Sequence, residues 1–185
     1  MTIDETIDDG HYLELAREVA ATRERLASTR PLLVGISGAV GIGKSTLAAV
    51  LAGHLASLGL STEIVATDGF LMPTAELERL GLMMRKGFPE TYDAALLAGV
   101  LERLQTGEEG VAVPVYSHEI YDRVPGPGRT LAPADVVIVE GVNALQPPAA
   151  DWLDVAVYIE ADEVDLRRWF TDRFLGLCAE AEGHA

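Results

Sequence analysis

The feature that most constrains this chain is a glycine-rich stretch, GAVGIGKS at residues 38–45, which fits the pattern GxxxxGK[ST]. Glycine is required there because backbone N–H groups must turn inward around an anion through conformations that a side chain obstructs. The lysine of such a loop reaches the terminal phosphates, and the hydroxyl after it can bind Mg²⁺. The pattern predicts a site for ATP and Mg²⁺. The predicted nucleotide contacts are Gly38, Ala39, Val40, Gly41, Ile42, Gly43, Lys44, Ser45 and Thr46.

The residues around this loop strengthen the prediction. Residues 32–37 are a short apolar run typical of a buried strand, and residues 45–55 have the composition of a helix. The phosphates would therefore meet the positive end of a helix. The alternative, a glycine-rich turn that binds nothing, is disfavoured by this context.

Strands and helices alternate along the rest of the chain. Further strands are predicted at residues 61–67, 135–141 and 154–160, and further helices at residues 12–26, 93–105 and 162–177. Residues 111–124, which are rich in β-branched and aromatic side chains, are predicted to leave the core sheet. The alternation predicts an α/β fold of the P-loop NTPase type, in which helices flank a parallel sheet in three α/β/α layers. An acidic tail and an amphipathic helix occupy residues 1–30, and one P-loop domain occupies residues 31–185.

Charge, cysteine content and the lengths of the apolar runs indicate which partners and which cellular location to expect. A net charge of −15 argues against nucleic acid and against anionic membrane surfaces. The lone Cys178 cannot form an internal disulfide, and no run approaches the roughly 20 apolar residues that span a bilayer. The first nine residues are acidic and do not resemble a basic, then apolar, leader. We expect a cytoplasmic protein with no nucleic-acid or membrane partner.

Two carboxylates follow predicted strands. Asp68 and Glu140 stand at strand ends, and ligands of open α/β sheets bind beyond the carboxyl ends of the strands. A phosphotransferase needs one carboxylate to orient or deprotonate the acceptor hydroxyl and a second acidic group to hold magnesium, directly or through water. Asp68 suits the first role and Glu140, with Ser45, the second, although the sequence leaves the two carboxylates exchangeable. Taken singly, either is also compatible with a helix cap or a solvated strand end.

A cation in the last helix and a cluster of aromatic residues suggest further contacts. Arg173 falls within the apolar stripe of that helix, so its guanidinium needs an anion, either a phosphate or a core carboxylate, unless its stem reaches solvent. In PVYSHEIYD, an extended chain puts Tyr116 and His118 on one side, where they can line a small-molecule pocket or simply pack within a hairpin. Lys86 can supply a cation for an acidic acceptor, or it can be a solvated loop lysine. The stripe consists of Leu166, Trp169, Phe170, Phe174 and Leu177.

Six stretches, in order over about residues 32–177, together resemble the bacterial type I pantothenate kinases. The resembling stretches are GISGAVGIGKS, TDGF, LMMRKGFPETYD, PVYSHEIYD, IVEGVN and WFTDRF. The phosphate loop alone is unspecific, but KGFPETYD and PVYSHEIYD are distinctive. The resemblance places the chain among P-loop kinases of the phosphoribulokinase/uridine kinase type, with residues 31–185 as the kinase domain.

The resemblance implies that ATP phosphorylates the terminal primary hydroxyl of pantothenate, the first step towards coenzyme A. By motif position, Lys44 and Ser45 match the phosphate and magnesium contacts, Asp68 the catalytic acid/base and Arg173 the γ-phosphate stabiliser. The family also implies a homodimer, and feedback inhibition by coenzyme A in which the histidine matching His118 takes part. The residues that match the pantothenate pocket are Lys86, Tyr116, His118 and Tyr121.

The chain departs from the family pattern on the acceptor side. Phe170 stands where the family has a tyrosine, and Leu177 where it has an aromatic residue. Family members extend past the position of Ala185, and that extension supplies a pocket asparagine, a lid and adenine contacts. Two alternatives therefore stay open: a related kinase for a nucleoside or sugar, and a weakly catalytic protein that binds ATP or coenzyme A. A GTPase is disfavoured because the chain has no NKxD motif.

Overall fold

The computed structural model describes residues 9–182, with every side chain in that range except those of residues 9, 173, 174 and 176–182. The helices are α1 Asp9–Arg25, α2 Lys44–Ser57, α3 Thr74–Leu80, α4 Ala94–Gln105 and α5 Glu163–Glu182. The strands are β1 Leu32–Gly38, β2 Thr62–Ala66, β3 Ala112–Val113, β4 Tyr116–Ser117, β5 Asp122–Arg123, β6 Arg129–Thr130, β7 Val136–Glu140 and β8 Val155–Ile159. Short 3₁₀ helices lie at Thr67–Phe70, Met83–Arg85, Pro89–Thr91 and Ala149–Trp152. Of the predicted acidic tail, residues 1–10, the first eight lie outside the described part, and Asp9 and Gly10 begin α1.

The core sheet is parallel, with the strand order β2-β7-β1-β8. All residues of β1 and β7 are buried, which explains why both strands are almost purely apolar runs. The register sets Ile36 and Ala66 level with Glu140, on either side of it. The predicted parallel sheet is confirmed, and the strands that lead to the phosphate loop, Asp68 and Glu140 end at the same edge.

Helices cover both faces of this sheet. One face carries Leu32, Val34 and Ile36 of β1 into an apolar cluster that includes residues of α1 and α2. The other face carries Leu33 and Val137 into a second cluster with residues of α4 and of the segments around it. Because successive side chains of a strand point to opposite faces, β1 contributes to both clusters. The three-layer α/β/α arrangement is confirmed.

Two predicted segments take a more irregular form. Residues 111–124 do leave the core sheet, but they contribute to two separate two-stranded antiparallel sheets, β3 with β6 and β4 with β5. The strand predicted at 61–67 ends at Ala66, and Asp68 lies in the 3₁₀ helix that follows it. The backbone turns there beside Pro114, and a Cβ on Gly69 would lie only 2.3 Å from the Pro114 carbonyl oxygen. Glycine at position 69 therefore permits the close approach of this turn to Pro114, in the segment 111–124.

The apolar stripe predicted on the last helix is only partly buried. Phe170, one residue of this stripe, is 52% exposed. The helix instead brings its backbone against the phosphate loop, since a Cβ on Gly41 would lie 3.6 Å from the Phe170 Cα. The side chains of Arg173 and Leu177 lie outside the described residues. No helix of the described part is long and apolar enough to cross a membrane.

Candidate active site

The phosphate loop links β1 to α2 through two glycines with left-handed backbone angles. Gly41 has φ of 82° and Gly43 has φ of 96°, values that residues other than glycine rarely adopt. Gly43 is the N-cap of α2 and makes no side-chain cap hydrogen bond, and the N-terminus of such a helix favours an anion. Lys44 Nζ donates hydrogen bonds to the carbonyl oxygens of Gly38 at 3.2 Å and Ala39 at 2.8 Å. The lysine therefore lies against the loop at which it is predicted to contact the phosphates.

Ser45 and Glu140 meet behind this loop. Ser45 Oγ donates to Glu140 Oε1 at 2.9 Å, and the glutamate is 7% exposed at the end of β7. A hydroxyl and a carboxylate with adjacent oxygens fit Mg²⁺, which prefers oxygen ligands and commonly takes one or two from the protein and others from phosphates and water. No group of three or more His, Cys, Asp or Glu residues in the described part could hold a metal by itself. These two residues therefore suit a magnesium ion that arrives with a nucleotide.

Asp68 lies half-buried just beyond β2, beside a tyrosine. The Tyr92 hydroxyl donates to Asp68 Oδ1 over 3.5 Å, at the long end of the hydrogen-bond range. Tyr92 is 6% exposed, and burial, with Asp68 as the next contribution, raises the pKa of its phenol. The phenol therefore stays protonated at neutral pH and can act as a donor to the carboxylate.

The aromatic residues of the β4–β5 hairpin form a wall next to Asp68. The ring centroid of Tyr116 lies 5.2 Å from that of His118 and 6.3 Å from that of Tyr121, in edge-on geometry. Burial, followed by the nearby Tyr121 and Asp68, raises the pKa of Tyr116 to about 12. The wall and the carboxylate thus share one environment.

Lys86 lies on this wall. Its Nζ is 4.2 Å from the ring centroid of Tyr121 and 5.3 Å from that of Tyr116, within range of cation–π attraction. The same ammonium donates to the carbonyl oxygen of Tyr121 at 2.5 Å and to Thr74 Oγ1 at 3.2 Å. Aromatic faces and neutral oxygens make the direct contacts to the ammonium, and its positive charge can also attract an anionic ligand.

A carboxylate ties this hairpin to the start of α3. Asp122 accepts the backbone N–H of Thr74, at 3.0 Å on Oδ1, and that of Arg123, at 2.7 Å. Burial alone would raise the pKa of Asp122, but these N–H donors and the charge of Lys86 lower it. Because Thr74 also binds Lys86, Asp122 helps to fix the lysine.

The structure brings most of the sequence-predicted residues into two adjacent groups. Lys44, Ser45 and Glu140 gather at the phosphate loop, and Asp68 lies with the aromatic wall and Lys86. Arg173, the third predicted catalytic residue, cannot be placed because its side chain is not described. Sequence reasoning gave no role to Tyr92, Thr74 or Asp122. Tyr92 lies inside the motif KGFPETYD, and Asp122 lies inside PVYSHEIYD. Their positions in these motifs were the sequence signal that could have identified them.

Comparisons with known proteins bear on the family and the fold of this chain. The family model described as "Phosphoribulokinase / Uridine kinase family" matches residues 33–170. Among curated proteins, the chain is 46% identical over 160 residues to a pantothenate kinase of Bradyrhizobium diazoefficiens, covering 80% of this chain and 50% of that protein. It is 44% identical over 167 residues to a pantothenate kinase of Streptomyces avermitilis, covering 83% of this chain and 51% of that protein. The chain thus spans about half the length of the curated relatives it matches.

A solved structure shows the same fold at nearly full length. The protein, named as a fructose transport system kinase of Silicibacter sp. TM1040, superposes with a TM-score of 0.81 at 30% identity. The match covers 89% of this chain and 82% of the other. The fold and the arrangement of its elements are therefore shared with proteins named as small-molecule kinases.

Proposed function

We propose that this chain, which belongs to the phosphoribulokinase/uridine kinase family, transfers the γ-phosphoryl group of ATP to the primary hydroxyl of pantothenate. The family and the fold support an ATP-dependent kinase. The acceptor is inferred from the pocket beside Asp68 and from relatives named pantothenate kinase.

The observation that carries the acceptor assignment is the position of Lys86. Its ammonium is held over the rings of Tyr116 and Tyr121, and Tyr116 in turn lies near Asp68. Pantothenate has a hydroxyl at one end, amide groups in the middle and a carboxylate at the other end. A carboxylate on Lys86 and a hydroxyl on Asp68 use both ends of such a molecule, whereas an uncharged nucleoside or sugar has no anionic group to place on the lysine.

Each role in the phosphoryl transfer is assigned to a residue of the site. The acceptor oxygen attacks the γ-phosphorus, its proton passes to Asp68, and the bond between the γ-phosphorus and the ADP oxygen breaks. Lys44 and Arg173 offset the charge that spreads over the transferring phosphoryl group. When bound, magnesium neutralises phosphate charge, and Ser45 and Glu140 are the residues that would hold it. The chain itself mostly positions the reactants.

A panel of acceptors tests the proposal. ADP release is measured with pantothenate, uridine and fructose, each with and without a magnesium chelator. We expect turnover with pantothenate that the chelator abolishes. Turnover of uridine or fructose but not of pantothenate would identify a nucleoside or sugar kinase. Tight binding of ATP or coenzyme A without any product would identify a binding protein.

Other expectations from the sequence and from the resemblance stay predictions. They are inhibition by coenzyme A at a site that includes His118, assembly as a homodimer, and a cytoplasmic location with neither nucleic acid nor membrane as a partner. Inhibition is measured as loss of turnover on addition of coenzyme A. Assembly is measured by light scattering on the purified chain.

A further inference from the structure

Tyr92 combines an apolar location with a polar group. Its ring belongs to the buried cluster that also contains Phe70, Leu71 and Leu97, and the residue is 6% exposed. A phenylalanine would fill the same space, so packing accounts for the ring and not for the hydroxyl. Buried tyrosine hydroxyls usually have a hydrogen-bond partner. The partner here is Asp68 Oδ1, the carboxylate to which the proposed reaction assigns the acceptor's proton.

The backbone fixes Tyr92 relative to Asp68. Tyr92 and Leu71 form an antiparallel bridge, and Asp93 N donates to the Phe70 carbonyl oxygen at 2.7 Å. Leu71 N in turn donates to the carbonyl oxygen of Asp68 at 3.1 Å. The segment that carries the phenol is thus bonded to the residues that directly follow the carboxylate, so neither can shift without the other.

We propose that Tyr92 is a positioning residue: its hydroxyl binds Oδ1 of Asp68 and thereby turns Oδ2 towards the acceptor hydroxyl. The inference rests on the role that the proposed function gives Asp68. As the acceptor oxygen bonds to the γ-phosphorus and the ADP oxygen leaves, the acceptor's proton passes to Oδ2. Tyr92 keeps its own proton throughout. Hydrogen bonds of this kind are often long before substrates bind and shorten in the reacting complex, consistent with 3.5 Å here.

Steady-state kinetics test the role directly. In Tyr92→Phe we expect kcat to fall roughly 10- to 100-fold, as for loss of a hydrogen bond to a charged group. The KM for ATP and the melting temperature should stay close to those of the unaltered chain, because the ring still fills its space. Tyr12→Phe is the matched control, since Tyr12 packs on the cluster at the opposite face of the sheet. An unchanged kcat in Tyr92→Phe, or a kcat loss matched by a large fall in melting temperature, would overturn the proposal.

A second readout does not need turnover. The ¹³C resonance of the Tyr92 Cζ, assigned by its absence in Tyr92→Phe, should shift in Asp68→Asn because the phenol loses a charged acceptor. An unmoved resonance would show that the two groups do not interact and would also overturn the inference. If another acceptor is phosphorylated instead of pantothenate, the proposed function fails while both tests of Tyr92 can still be run and can still succeed.

Discussion

At the scale of single residues, the site separates into a phosphate side and an acceptor side, each with one lysine. Lys44 lies on the carbonyls of the phosphate loop, and Lys86 lies on the aromatic wall. The chain has only these two lysines. A net charge of −15 makes such local cations the means by which anionic ligands are held. Side-chain changes at these positions should therefore affect the two substrates separately.

Asp68→Asn should abolish the transfer while preserving nucleotide binding. Asparagine keeps the shape of the side chain but cannot accept the acceptor's proton, so we expect kcat to fall about 10²- to 10⁴-fold. Calorimetry should give an ATP affinity close to that of the unaltered chain. Asp151→Asn, at an exposed position in the 3₁₀ helix before β8, is the control. Near-normal turnover in Asp68→Asn would remove this residue from the mechanism.

Lys86→Met should weaken pantothenate binding and leave ATP binding intact. Loss of a charge-assisted contact predicts a rise of roughly 10- to 100-fold in the KM for pantothenate. The KM for an acceptor with a neutral amide in place of the carboxylate should change little, because such an acceptor has no negative charge to interact with Lys86. The control is Arg85→Met, which removes the neighbouring exposed cation that pairs with Glu90. Equal effects of the two substitutions would argue against a specific carboxylate contact.

At the scale of elements, the acceptor side depends on contacts between short segments rather than on the core sheet. The 3₁₀ helix Thr67–Phe70, the β4–β5 hairpin and the start of α3 meet around Asp68 and Lys86. Their residues are recognisable from sequence as polar and aromatic motifs. Their contacts are not, because partners such as Thr74 and Asp122 are 48 residues apart and no local periodicity joins them. For this reason sequence reasoning missed Tyr92, Thr74 and Asp122.

Gly69→Ala should separate two of these segments. The added Cβ would lie 2.3 Å from the Pro114 carbonyl oxygen, a backbone atom, so the segments must move apart at a cost of about 1–3 kcal/mol. We expect a lower melting temperature and a higher KM for the acceptor. Gly53→Ala is the matched control, since Gly53 is exposed in α2 with no atom within 4 Å of an added Cβ. That change should stabilise the chain by up to about 1 kcal/mol, and a similar gain in Gly69→Ala would contradict the close contact.

The Arg30–Asp154 ion pair joins the residues that come just before β1 and β8. Arg30 Nη1 and Nη2 donate to Asp154 Oδ2 and Oδ1, respectively, at 2.8 Å each, and the two side chains are 17% and 16% exposed. Asp154→Asn should lower the free energy of unfolding at pH 7 by about 2 kcal/mol, below the value for a fully buried pair. Urea unfolding measures this loss, with Asp151→Asn as the exposed control.

The same pair predicts a pH dependence. Burial alone would raise the pKa of Asp154, but the Arg30 hydrogen bonds and the Leu33 N–H hold it below its ordinary value. Since the folded-state pKa is lowered, the stabilisation is present above about pH 4, the unfolded value, and is lost as the pH falls through the folded value. The difference between the unaltered chain and Asp154→Asn should therefore shrink below about pH 4. A difference that is constant from pH 7 to pH 3 would contradict this account.

At the scale of the whole molecule, the parts that follow from local pattern were predictable. The strand–loop–helix unit around Lys44 and the apolar runs of β7 and β8 specify the α/β fold, because their spacing and composition are local properties. The order β2-β7-β1-β8 and the division of residues 111–124 between two small sheets depend on tertiary packing. The exposure of Phe170 depends on it too, since the position of α5 on the phosphate loop decides which of its faces is covered.

The most direct test of the central claim follows the phosphorus atom itself. The unaltered chain is incubated with ATP labelled with ³²P at the γ position, magnesium and pantothenate, and the products are separated. We predict label in a phosphorylated pantothenate, formed together with ADP at a rate that falls about 10²- to 10⁴-fold when Asp68→Asn replaces the unaltered chain. Label that stays in ATP, or that leaves it only as inorganic phosphate, would contradict the assignment of this site as a pantothenate kinase.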